Sequence, residues 1–243
     1  MNGITIAMWS GPRNISTAMM RSFENREDTV VLDEPFYAYY LKNTNLAHPG
    51  KKKIIASQNS NWSEVVKICT KSFPNEKKIW YQKQMAQHIL DGDSIDWIDG
   101  LRNCLLIRNP KLVINSYMKQ FPLENINHLG YPQLCKILDH LEKKNGESPP
   151  IIDADDLLKN PKKILKKLCQ KLEICFSSRM LSWPKGKRES DGVWAEHWYG
   201  RVVQTTGFDS HRKRKIKLDP ILIPIYDSCM KYYEKMYKRR ITL

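Results

Sequence analysis

Residues 9–17, Trp-Ser-Gly-Pro-Arg-Asn-Ile-Ser-Thr, carry the groups in this chain best suited to holding an anion. They follow a short apolar run, Ile4 to Met8, and precede Ala-Met-Met-Arg-Ser-Phe. A strand, a tight turn and a hydroxyl-rich helix start would aim backbone N–H groups and the positive end of a helix dipole at one point. Arg13 adds a full charge there. Ser16 and Thr17 add hydroxyls in the first helical turn, where they can cap the helix and bond phosphate oxygens. The chemistry implied is phosphate binding; the alternative is an ordinary strand-to-helix turn with a capping hydroxyl. No Lys follows a second Gly as a Walker A loop requires, which disfavours ATP chemistry.

A second group of such residues is Arg108, directly after Leu105-Leu106-Ile107, with Ser116 eight residues later. A guanidinium fork at a strand end and a hydroxyl two turns into the next helix could clasp a terminal phosphate monoester. Arg108 paired to a carboxylate, with Ser116 on an exposed helix face, is the alternative. Two residues are candidates for moving a proton. Glu34, in Asp33-Glu34-Pro35-Phe36, is a carboxylate just past a Val-rich run, where it serves as a base, orients substrate or pairs with Arg13. His88 titrates near neutrality as an imidazole, and an ordinary surface histidine is the other reading. Trp194, Trp198 and Tyr199 are candidates for lining a pocket or for packing. His128, His140, His197 and His211 show no paired spacing and receive no role.

The elements that must position these groups read as a parallel α/β arrangement. Ile4 to Met8, Thr29 to Leu32 and Cys104 to Ile107 each run apolar into a polar turn and then a helix, implying a parallel sheet with helices on its faces. Lys78 to Tyr81 and Pro150 to Ile152 are further candidate strands. Asn109 as N-cap and Pro110 at the first helical position predict the start of an amphipathic helix from Lys111 to Gln120. Asn160-Pro161 introduces another, from about Lys162 to Leu172. Lys42 to Lys53, polar and containing Pro49-Gly50 and three lysines, reads as loop. Ligands of such sheets collect beyond the carboxyl ends of the strands, where Arg13, Glu34, Lys83, His88 and Arg108 all fall.

Composition narrows the class further. The 243 residues are enough for a full core, and with no composition shift to mark a linker they are expected to form one domain, residues 1–243. No apolar stretch approaches the roughly 20 residues that cross a bilayer, and the N-terminus lacks signal-peptide regions, so the expected setting is the cytoplasm. Six cysteines stand without a Cys-x-x-Cys pair or clustered histidines, which predicts reduced thiols and no metal site. The formal charge of +14 suits nucleic acid or a polyanionic nucleotide. Much of it, however, alternates with Leu between Lys159 and Lys171, as on a solvated helix face. The densest run, His211 to Lys217, reads as charged surface, and nucleic acid is an unlikely partner.

The first motif resembles the 5′-phosphosulfate loop of sulfotransferases that use 3′-phosphoadenosine 5′-phosphosulfate (PAPS), with Asn14 and Ile15 standing where the family has Ser-Gly. The β-branched Ile15 resists the positive φ that Gly allows, so a somewhat different turn is expected. Leu-Ile-Arg-Asn-Pro, with Ser-Tyr at 116–117, resembles the family's 3′-phosphate motif. Trp183-Pro-Lys-Gly-Lys-Arg, then Gly192-Val-Trp194, resembles its basic loop that closes over the nucleotide, although Pro184 replaces an Arg. Asp33-Glu34-Pro35-Phe36 resembles an element that supplies the base in some bacterial carbohydrate sulfotransferases. Where many cytosolic members have a catalytic His two residues after a Lys, Met85 follows Lys83, and His88 lies three further on.

The resemblance implies a P-loop-like nucleotide-binding fold, with a central parallel sheet flanked by helices. It implies transfer of a sulfuryl group from PAPS to a hydroxyl or amine of a small acceptor, without a metal. Arg13, Asn14, Ser16 and Thr17 would take the phosphosulfate, Arg108 and Ser116 the 3′-phosphate, and Lys185, Gly186 and Lys187 the closing contacts. Arg13 would also stabilise charge, with Glu34, or else His88, as base. Two other readings remain at this level: an ATP-dependent small-molecule phosphotransferase, and a non-catalytic basic nucleic-acid-binding protein. Acceptor and oligomeric state are not legible.

Overall fold

The computed structural model describes residues 3–71, 77–211 and 215–243. Five strands form one sheet: β1 (Ile4–Ser10), β2 (Thr29–Asp33), β3 (Ile79–Met85), β4 (Arg102–Ile107) and β5 (Ile151–Asp153), in the order β2-β3-β1-β4-β5. Every pairing is parallel. Ten α-helices are described. They are α1 (Ser16–Glu24), α2 (Tyr37–Lys42), α3 (Lys51–Ser57), α4 (Trp62–Thr70), α5 (Pro110–Tyr117), α6 (Tyr131–Asn145), α7 (Ala154–Lys159), α8 (Pro161–Lys171), α9 (Ala195–Trp198) and α10 (Ile223–Tyr237).

The two-residue period of the strands divides the core. Ile6, Met8, Tyr81 and Leu106 pack on one face with Met19, Met20 and Phe23 of α1 and Ile164, Leu165 and Leu168 of α8. Ala7, Trp9, Leu105 and Ile107 pack on the other with Val113 and Ile114 of α5, Leu134 and Leu138 of α6 and Tyr233 of α10. Central β1 has Ala7 and Met8 fully buried. It pairs with β3 on one side and β4 on the other, so the strand order reverses there. In an open parallel sheet the ligand crevice opens at such a reversal, beyond the carboxyl ends. Ser10 lies level with Met85 and Leu106, and Asp33 level with Lys83, so the loops after these strands share one edge.

All five expected strands are present, and the differences lie at their ends. β3 runs to Met85 because Gln82, Lys83 and Gln84, though polar, are all buried. Gln82 donates to the Cys69 carbonyl (2.8 Å), Gln84 to Gln82 (3.0 Å) and Lys83 to Asp33 (2.9 Å). Polar side chains with internal partners extend a strand past the point where its apolar pattern stops. The expected loop over Lys42 to Lys53 ends early, because Lys51 to Lys53 form the first turn of α3. Gly50, at φ 73°, turns the chain into that helix, and buried Ile54 anchors it while Lys52 and Lys53 face outward and half-buried Lys51 donates to the Thr44 carbonyl (2.8 Å). Asn109 caps α5 as expected, accepting from the Lys111 N–H (3.0 Å). The six cysteines are unpaired, five buried and Cys175 exposed. Among the described residues no helix is long and apolar enough to cross a membrane.

Candidate active site

A cavity of about 490 Å³ opens at the carboxyl edge of the sheet. One end is built by the loop after β1. Gly11 lets that loop close, since a Cβ there would lie 2.2 Å from the Leu129 carbonyl oxygen. Asn14 is buried and donates to the Leu106 carbonyl of β4 (3.1 Å), tying the turn to the sheet and placing its amide beneath the loop. Ile15 does adopt the left-handed conformation (φ 58°, ψ 21°), so the turn expected to avoid a positive φ keeps one. Arg13 is left-handed as well (φ 63°). Such conformations cost of order 1–3 kcal/mol each for non-glycine residues, and packing of Ile15 against the core and anchoring of Asn14 hold the loop in place. Neither Ser16 nor Thr17 caps α1: the N-cap is Ile15, with no side-chain cap. Both hydroxyl residues instead line the cavity.

The two motifs recognised in sequence meet in space. Arg13 Nε donates to Ser116 Oγ (3.0 Å), and Arg108 Nη1 donates to the Arg13 carbonyl (2.9 Å). Tyr131 fixes the end of β4 by donating to the Arg108 carbonyl (2.7 Å). Burial, and then the charge of Arg108, lower the pKa of Arg13. Among the described residues no carboxylate pairs with Arg13. Two neighbouring guanidiniums at a helix start, with hydroxyls from α1 and α5, form a site that an anion would neutralise.

The second end surrounds Glu34. Lys83, 1% exposed, donates to Asp33 Oδ1 (2.9 Å), to Glu34 Oε1 (2.6 Å) and to the Tyr199 hydroxyl (2.5 Å). Tyr199 also donates to Asp33 and accepts from Trp194 Nε1 (3.1 Å), and the Gly192 N–H donates to Asp33 Oδ2 (3.2 Å). Burial pushes Glu34 above the ordinary carboxylate range, Lys83 pulls it back, and Asp33 adds to the rise. Burial works against charge on Lys83, but Asp33 and Glu34 more than offset it and hold its pKa above the ordinary lysine value. Glu34 also has a positive φ of 40°, with its N–H bonded to the Lys83 carbonyl (3.0 Å) and its carbonyl to Gln58 Nε2 (3.1 Å). His88 closes a one-turn 3₁₀ helix, Ala86–His88, and its ring stacks on Tyr37 (4.9 Å) and Tyr40 (4.7 Å). Its Nε2 lies 3.9 Å from Glu34 Oε2. Burial, then His48 and Lys83, keep His88 well below the usual histidine pKa, so its ring is neutral. It is a buried residue, not a surface one.

Most of the sequence-derived candidates therefore converge: Arg13, Ser16, Thr17, Glu34, His88, Arg108 and Ser116 all line this cavity. Asn14, buried and bonded to β4, does not line it, and neither do Lys185, Gly186 and Lys187. Lys185 and Lys187 are exposed, and Gly186 donates to the Val203 carbonyl (2.9 Å). Their loop is drawn instead to α1, where buried Arg21 holds Asp191 through Nη2 (2.5 Å). The corresponding wall of the cavity comes from the later segment, 201–211, including Gly207 and Phe208. Phe208 is steadied edge-on by Trp183 (5.1 Å). Arg212, Lys213 and Arg214 of the basic run lie outside the described residues. Sequence reasoning also passed over His48, Tyr37 and Tyr40, and gave His128 no role, yet all four line the cavity. Tyr37 and Tyr40 stand one turn apart on α2, a spacing that reads equally as core packing, while His48 and His128 come from a loop and a 3₁₀ turn that no spacing links to them. No group of three or more His, Cys, Asp or Glu among the described residues is placed to hold a metal ion.

Comparison with known proteins agrees with this architecture. The pattern defining the family described as "Sulfotransferase domain" matches residues 4–240. The chain is 35% identical over 228 residues to branched-chain-amino-acid aminotransferase-like protein 2 of Arabidopsis thaliana, covering 94% of this chain and 40% of that protein. It thus spans about two fifths of that relative's length, and the relative's name describes a much longer protein. Among solved structures, the fold resembles the sulfotransferase domain from the curacin biosynthetic pathway (TM-score 0.55, 16% identity, 95% of this chain and 98% of that one). It also resembles the sulfotransferase domain of the Synechococcus PCC 7002 olefin synthase (TM-score 0.52, 17% identity, 93% and 94%).

Proposed function

This chain belongs to the Sulfotransferase domain family, and we propose that it moves a sulfuryl group from PAPS to a small acceptor. The observation that carries this reading is the meeting of Arg13, Arg108 and Ser116 at one end of a cavity whose other end holds Glu34. A nucleotide phosphorylated at both its 3′ and 5′ positions matches two adjacent guanidiniums better than a mononucleotide does. PAPS brings an activated sulfuryl group, so no residue of the chain has to form a covalent intermediate. Arg13, with the N–H groups at the start of α1, would stabilise charge that builds on the leaving 5′-phosphate. Ser116 and Arg108 would fix the 3′-phosphate and so the register of the nucleotide. Phe208 and Val202 offer apolar surface for its base, the contact that Ala18 cannot supply.

Glu34 is our choice of base. Its pKa lies above the ordinary carboxylate range, so it can take a proton from a hydroxyl or amine as that atom attacks sulfur in line. Lys83 holds the carboxylate in place. His88, kept neutral well below its usual pKa, is a weaker proton acceptor than a free imidazole and serves better as a hydrogen-bonding neighbour. Calorimetric titration with 3′-phosphoadenosine 5′-phosphate (PAP) against AMP and ADP tests the reading. Preferential binding of PAP is expected, and equal affinities for the three nucleotides would refute it.

A further inference from the structure

The cavity holds buried polar atoms that no described residue satisfies. His88 is 2% exposed and Gln87 7%. Both ring nitrogens of His88 and Oε1 of Gln87 lack a hydrogen-bond partner among the described residues, as do Nε2 of His48 and Nδ1 of His128. All four side chains line the cavity. Native proteins leave few buried polar groups unpaired, because each forgoes the bonds it would make in water. Gln87 Oε1 lies by Gly11 and Gly130 at the loop end, whereas the ring of His88, 3.9 Å from Glu34, and that of His48, bonded to Tyr37 (2.8 Å), mark a place at the other end where a ligand's own polar groups complete the bonding.

The chemistry of these atoms restricts the ligand. A neutral imidazole offers one donor and one acceptor, and a carboxamide oxygen only accepts. Burial, with His128 and Lys51, holds His48 down to about 4, and burial holds His88 and His128 below their usual value, so the three rings are neutral. A carboxylate or phosphate on the ligand could only accept hydrogen bonds, and an ammonium could only donate them. A hydroxyl does both, as this mixed set requires. Lys83 is already shared by two carboxylates, so it offers an anionic acceptor no unspent charge. Tyr37 and Tyr40 add ring surface for a carbon skeleton.

We propose that this end of the cavity selects an uncharged acceptor bearing several hydroxyls, a polyol or sugar, with one hydroxyl at Glu34 and others bonded by His88 and His48. The inference rests on the sulfotransferase reading. In the transfer, the bond from the acceptor oxygen to sulfur forms as the bond from sulfur to the phosphate oxygen breaks. The hydroxyl proton passes to Glu34, leaving a sulfate monoester and PAP. His88 and His48 act here as positioning residues.

The test measures kcat and KM with labelled PAPS against myo-inositol, methyl α-glucoside, glucuronate, ethanolamine and 4-methylphenol, with PAP affinity followed in parallel by calorimetry. The neutral polyols are expected to give the highest kcat/KM. His48→Phe and His88→Phe should each raise KM for the preferred polyol by about tenfold or more, with kcat changed less and PAP affinity held within about twofold. A panel led by the phenol, the uronate or the amine overturns the inference. So does an unchanged KM in both variants whose PAP binding shows them to be folded. If PAP is bound but polyols are not accepted, only the acceptor inference fails; if PAP is not preferred to AMP, the sulfotransferase reading fails and takes the inference with it.

Discussion

Replacing Glu34 by Gln tests the site's chemistry most directly, because the amide preserves shape while removing a proton acceptor. Oε1 of Glu34 receives a hydrogen bond from Lys83 at 2.6 Å, and the carbonyl oxygen of Gln can receive the same one. Lys83 keeps Asp33 and Tyr199 as partners, so the buried cation is not stranded. The fold should survive, and PAP affinity should be unchanged, since Arg13, Arg108 and Ser116 are untouched. What goes is general-base assistance, worth about 10²- to 10⁴-fold in rate. Single-turnover transfer of labelled sulfuryl should fall by that factor. The pH profile supplies a second readout. Burial lifts Glu34 above the ordinary carboxylate range, so the rate of the parent should fall on the acid side through a pKa above that range, and the Gln variant should lose that limb. The sign for stability follows from linkage. With the folded pKa above the unfolded one, the contribution of Glu34 is full below the unfolded value and is lost as pH rises through the folded one. Glu34→Gln should therefore compare more favourably with the parent in melting temperature at about pH 8 than at about pH 4. A variant that keeps at least about a third of the parental rate, or retains the acid limb, would refute the assignment of Glu34 as base.

Other substitutions probe the rest of the site. Arg108→Ala should abolish the preference for PAP over AMP, a loss of about 1.5–3 kcal/mol in calorimetry; retained discrimination would contradict its role. Gly11→Ala sets a Cβ against the Leu129 carbonyl at 2.2 Å, so it should cost about 1–3 kcal/mol in denaturant unfolding and weaken PAP binding together. Lys83→Met leaves Asp33 and Glu34 buried without their cation and should destabilise by about 3–5 kcal/mol at neutral pH, less at acid pH where the carboxylates take up protons. Lys185→Ala and Lys187→Ala remove exposed cations away from the cavity, so PAP affinity should stay within about twofold in titration.

The central architecture was legible because it depends on local pattern. Apolar runs ending in polar turns announce three of the five parallel strands, with Lys78 to Tyr81 and Pro150 to Ile152 as further candidates, and Asn109-Pro110 announces a helix through capping that needs only neighbouring residues. The pattern failed where polar side chains are satisfied from a distance. Gln82, Lys83 and Gln84 look like the end of a strand until Cys69 and Asp33 are brought beside them. The loop at Ile15 failed for a related reason, since a β-branched residue avoids φ 58° by itself and adopts it only when packing and the bond from Asn14 to Leu106 hold the turn.

For the site, residue types and spacing determined that Arg13, Ser16 and Thr17 share the turn after one strand and that Arg108 and Ser116 follow another, because each group is local to one strand-helix unit. Only the tertiary structure decided that the two groups touch, that Lys185 to Lys187 stand away from the cavity, and that 201–211 forms its wall. It also decided that Glu34 sits between a buried lysine and a neutral histidine, surrounded by rings from separate elements. Burial and charge coupling arise from residues far apart in the chain, and those are what set the pKa of a base and the chemistry of a pocket.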